Sequence, residues 1–70
     1  MRSEYELRDH LLFMMRNDVQ ISMTLKEAIH LRQRDRLTHL VQAAAADMSD
    51  IHQNEKTIHS VVDWLIGLFG

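Results

Sequence analysis

Few residues in this chain have the types and spacing that chemistry requires. Glu27-Ala-Ile-His30 is a Glu-x-x-His pair. Two such pairs, each with an additional glutamate, build two-metal sites in helical bundles, because side chains one turn apart point the same way. The second pair is missing here: Glu55 and His59 stand four apart, not three. Only self-association would bring two Glu27/His30 pairs together, so an exposed acid beside an exposed histidine is the expectation. His52 and His59 lie seven apart, on one helix face near Asp63. Two imidazoles without a third fixed ligand are weak grounds for a metal or proton site, and a polar rim is the simpler reading. Neither a metal nor a cofactor is expected.

The second cluster is basic. Arg32, Arg34 and Arg36 stand among Lys26, His30 and His39. On a continuous helix Arg32 and Arg36 share a side, the arrangement a groove-reading helix needs. Arg34 then points nearly opposite, and Asp35 neutralises part of the patch through its three- and four-residue neighbours. No helix-turn-helix turn precedes it, and the net charge of −2 is no footprint for nucleic acid. Nucleic-acid binding through Arg32 and Arg36 is therefore an alternative rather than the main reading. No catalytic residue is assigned: nucleophile elbow, phosphate loop and paired glycines are all missing. Ser3, Ser22, Ser49 and Ser60 read as caps or surface residues, and the chain is not expected to be an enzyme.

The elements that position these residues are helical. Proline is absent and glycine occurs only at Gly67 and Gly70, so neither helix breaker interrupts positions 1–66. Sheet proteins need turn chemistry that this composition does not offer. The spacing predicts an all-α single domain over 1–70, with helices at about 4–16, 25–47 and 51–68. It reads as a three-helix bundle, or a helical hairpin with a long second helix, completed by oligomerisation. Ser3 caps the first helix with Glu6 in the capping-box position, and Asn17-Asp18 ends it. Val19, Ile21 and Met23 alternate with polar residues, which predicts an extended connector through Thr24, the next cap. Ala43 to Ala46 offer either a tight helix crossing or plain helix-forming filler. "SDIHQNE" holds the second break, with Asp50 and Asn54 as rival caps. No glycine or proline stops the chain there, so a merger of the last two helices is the competing reading.

Two heptad seams run through these helices. Leu37, Val41, Ala44, Met48, Ile51, Glu55, Ile58, Val62, Leu65 and Phe69 alternate steps of four and three, violated only by Glu55. Leu7, Leu11, Met14, Asp18, Ile21, Leu25 and Ala28 form a weaker one, violated by Asp18. The two fall out of phase across "RQRDR", so either the chain kinks there or separate helices present separate faces. The apolar residues of the tail "IHSVVDWLIGLFG" spread over roughly 200° of helix, where packing on one neighbour needs a stripe of only ~100°. Seventy residues without cysteine have no disulfide to add to a small core. The expectation is a small helical protein–protein interaction module (a regulatory adaptor, small chaperone or assembly subunit). It acts in self-association, as a dimer for example, or in a hetero-complex.

Ile58, Val62, Trp64, Leu65, Leu68 and Phe69 are the expected contact residues, with Trp64 the type enriched at binding hot spots. Methionines 14, 15, 23 and 48 read as core filling rather than an adaptable binding surface. Trp64 and Phe69 also suit an amphipathic helix at a membrane surface, a further alternative that Asp63 and the scarcity of lysine argue against. The opening "MRSEYELRDH" carries charges where a signal peptide needs an apolar core, so a cytoplasmic location is expected.

Overall fold

The computed structural model describes residues 4–48 and 54–70, and these hold four helices and no strand. They are α1 (Glu4–Asn17), α2 (Val19–His30), α3 (Arg34–Ala44) and α4 (Glu55–Phe69). The all-helical expectation holds; the boundaries differ, and each difference has a local cause.

The first break is a single residue. Asp18 adopts an extended conformation, and its carboxylate accepts hydrogen bonds from the N–H groups of Gln20 at 3.0 Å and Ile21 at 3.3 Å. An aspartate cap satisfies donors that a helix start leaves free, so α2 begins at once. Val19–Thr24, expected to be an extended connector, is instead the first half of α2. Thr24, expected as a cap, lies inside the helix and its hydroxyl donates to the Gln20 carbonyl at 2.8 Å.

The second break falls inside the helix expected over 25–47. Leu31, Arg32 and Gln33 turn the chain between α2 and α3. The Gln33 N–H donates to the Ala28 carbonyl at 2.9 Å and the Arg32 N–H to the Ile29 carbonyl at 3.1 Å. This is the Schellman pattern that ends many helices. Its left-handed position belongs to Arg32, at φ 56°, where glycine is the usual occupant. No glycine or proline marks this stop, but the two heptad seams fall out of phase across it, and the turn lets Leu37 and Val41 of α3 reach the interior, where they are at most 1% exposed.

The third break separates α3 from α4. Ala45 closes α3, with its N–H donating to the carbonyls of Val41 and Gln42. Asn54 is extended, and its side-chain oxygen accepts from the Thr57 N–H at 3.2 Å. The last two helices are therefore not merged, and Asn54 caps α4. Ser3, Ser49, Asp50, Ile51, His52 and Gln53, which carried other expected caps, packing positions and one of the histidine pair, lie outside the described residues.

Each helix touches the other three. Leu7, Leu11, Leu25, Ile29, Leu37, Val41, Ile58, Val61, Val62 and Leu65 form the greater part of one core, and no polar or charged residue is buried among the described residues. The radius of gyration is 11.0 Å, matching the ~11 Å of a self-contained domain of this length. Both heptad seams run inward: their described apolar members are buried or packed partly buried against the core. Four short helices therefore bury both seams within one chain, while Tyr5, Phe13, Val19, Met23, Leu31, Ile66 and Leu68 stay exposed.

Candidate interaction surface

The six expected contact residues divide between interior and surface. Ile58, Val62 and Leu65 are at most 1% exposed in the chain's own core, so the folded subunit does not display them. Their neighbours come from the same chain, because splitting the expected second helix puts a further apolar face beside α4. Leu68 is 52% exposed, while Trp64 and Phe69 are partly buried. Phe69 sits under the Lys26 ammonium, 5.5 Å from its ring centroid. Val19, Met23 and Lys26 follow one side of α2 at steps of four and three, which leads the exposed Val19 and Met23 towards this end of α4.

Trp64 is covered by an arginine. The Arg8 guanidinium lies 5.1 Å from the Trp64 ring and 5.0 Å from the Tyr5 ring, within cation–π range of both. Arg8 Nη2 also donates to Glu4 Oε2 at 2.8 Å, and the Ser60 hydroxyl donates to the same oxygen at 2.9 Å. Glu4 meets Ser60 and Arg8 meets Trp64, one turn further along both helices, so α1 and α4 run parallel along this seam.

Arg32 and Arg36 do not share a helix face. The turn places Arg32 outside both helices and Arg36 in the first turn of α3. Arg34 Nη1 donates to Asp63 Oδ1 at 2.6 Å, tying α3 to α4. Arg36 Nη1 lies 3.5 Å from Glu27 Oε1 and donates to Gln33 Oε1 at 3.1 Å. Glu27 thus faces an arginine, and Asp63 is paired with Arg34. His30 and His59 are exposed. No group of three or more metal-ligating side chains occurs among the described residues.

Among the described residues, a cleft opens at each end of the α2–α3 hairpin. The first, about 260 Å³, lies between α1, α2 and α3. Leu11, Met14, Ile21, Leu25, Leu40 and Ala44 wall it, with Gln20, Thr24 and Ala43 at its edge. Because the Thr24 hydroxyl already donates to its own helix, the cleft offers little for water to bind. The second, about 410 Å³, lies between the α2–α3 turn and the end of α4. Ala28, Ile29, Leu37 and Ile66 give it apolar walls, and His30, Arg32 and Arg34 stand around them.

No family, curated protein or solved structure matches this chain. What the molecule can bind is set by its own surface. No helix among the described residues is long and apolar enough to cross a membrane. No binding role was expected of Gln20, Ile21, Thr24, Leu25 and Leu40 around the first cleft. For Gln20, Ile21 and Thr24 the two-residue alternation of Val19–Met23 points to extended chain and hides the helical face they share. The alanine run was the visible clue: Ala44 and Ala45 are buried, while Ala43 and Ala46 face outward.

Proposed function

We propose that the protein is a helical protein–protein interaction module whose receptor site is the apolar cleft between α1, α2 and α3. The supporting observation is that this cleft remains open after the core has closed, with walls supplied almost wholly by carbon. Preformed apolar grooves of this kind take the large side chains of an amphipathic helix, one turn apart. The occupant is an apolar helical face of another protein, either a second copy or a different chain. Val19, Met23 and Leu68 are further apolar side chains exposed outside the cleft. A groove-reading helix is a weaker candidate, because Arg32 and Arg36 stand on different elements and two of the three arginines face carboxylates.

Ala43→Leu tests the reading. Leucine is a strong helix former, and at this edge its side chain fills the cleft. Titrating the ¹⁵N-labelled chain with a leucine-faced helical peptide is expected to shift the amides of Gln20, Thr24 and Ala43. The variant is expected to lose the response at Gln20 and Thr24. A molar mass of one subunit at every concentration by light scattering, together with no peptide response at these amides, would refute the reading.

A further inference from the structure

We infer that the second cleft, at the α2–α3 turn, is a separate contact point that selects an acidic residue beside a large apolar one on the bound partner. The inference rests on the interaction-module reading and specifies the chemistry of the partner. Three observations carry it. The cleft joins an apolar floor of Ile29, Leu37 and Ile66 to a polar rim of His30 and the cationic Arg32 and Arg34. The guanidinium of Arg32 has no hydrogen-bond or ion-pair partner among the described residues, whereas those of Arg34 and Arg36 are engaged. The start of α3 adds to the positive field, since Gln33 makes no capping bond and its side-chain oxygen accepts from Arg36 instead.

The position of Arg32 sharpens the case. A bulky residue at φ 56° is disfavoured where glycine fits freely, so the turn carries an arginine at a cost in stability. A side chain kept where the backbone is better served without one is accounted for by what that side chain binds. A carboxylate is the matching group, because the planar guanidinium presents paired donors to it. A polyphosphate fits less well. Asp63, Glu27 and Asp35 stand beside the arginines and repel a continuous line of charge, yet leave room for a single anion at Arg32. The apolar floor then takes the partner's neighbouring leucine-sized side chain.

The test compares two helical peptides with identical leucine faces, one with glutamates flanking the leucines and one with glutamines, titrated into the full ¹⁵N-labelled chain. The glutamate peptide is expected to bind about ten-fold tighter at ~50 mM salt, and to lose most of that advantage near ~0.5 M. Its additional shifts are expected at Arg32, Arg34 and Ile66. Arg32→Gly is expected to abolish the advantage while raising the thermal midpoint by about 4 °C, as relief of the strained turn requires. Loss of binding with a raised midpoint separates recognition from misfolding. Equal affinity of the two peptides, with shifts confined to Gln20, Thr24 and Ala43, overturns this inference and leaves the interaction-module reading standing. Binding of neither peptide overturns this inference, and together with a molar mass of one subunit at every concentration it overturns the interaction-module reading too. Displacement of the glutamate peptide by an equimolar short DNA or RNA duplex overturns it in favour of phosphate recognition.

Discussion

The seam between α1 and α4 and the corner between α2 and α3 are built from similar residues and end in opposite states. Along the seam, Arg8 lies between Tyr5 and Trp64 and meets Glu4, which also takes the Ser60 hydroxyl. At the corner, Arg32 stands at an open cleft with no partner among the described residues and a strained backbone. The lesson is that residue type does not mark an interface. The lone tryptophan, a natural first choice for a hot spot, is covered by its own chain. An arginine at a break that no glycine announces is left available.

Four substitutions probe this contrast. The largest effect is expected from Leu65→Ala, which removes a fully buried side chain on which both regions depend. A loss of ~2–5 kcal/mol is expected, enough to leave a chain of this size largely unfolded by circular dichroism. Retention of the wild-type melting curve would show that α4 is not held by this core. Arg8→Ala should cost about 1 kcal/mol, since it removes two cation–π contacts and a partly exposed ion pair. Its signature is a red shift of Trp64 fluorescence as the ring gains water. An unchanged emission maximum would mean that Arg8 does not cover the indole.

Arg32→Gly should move stability the other way, by up to about 1 kcal/mol in urea titrations. A destabilised variant would contradict the strain assigned to that turn. The smallest effect is expected from Asp63→Asn. Its pair with Arg34 is short, but both side chains are well exposed, at 66% and 45%, so about 0.5 kcal/mol or less is at stake. A markedly larger loss would place the corner among the rigid parts of the molecule.

Much of the fold was legible in the sequence, and the reasons divide cleanly. Helix content followed from the missing proline and the late glycines. Both seams found the interior positions, because apolar periodicity reports which face is buried whatever covers it. What periodicity cannot report is whose surface does the covering, so Ile58, Val62 and Leu65 pointed to a partner when their neighbours lay in the same chain. The break at Arg32 showed only as a change of phase between the two seams, because the sequence there, His-Leu-Arg-Gln-Arg, is good helix and carries no local stop. The break at Asp18 was visible, but the two-residue alternation after it concealed that one aspartate both ends a helix and starts the next. Of the binding surface, the small alanines and the arginines were in view. The clefts themselves depend on how four helices meet, which no local pattern encodes.

The parallel seam has a consequence for how the molecule assembles. Glu4 and Ser60 are separated by 56 positions, whereas the α2–α3 turn closes over three residues. Bringing distant segments together costs more chain entropy than closing a short loop, so the α2–α3 hairpin is favoured to form early and α4 to dock late. Contacts made after the barrier chiefly set the rate of escape from the native state. Arg8 and its two rings then act as a latch: loosening them should hasten unfolding while leaving refolding almost as fast.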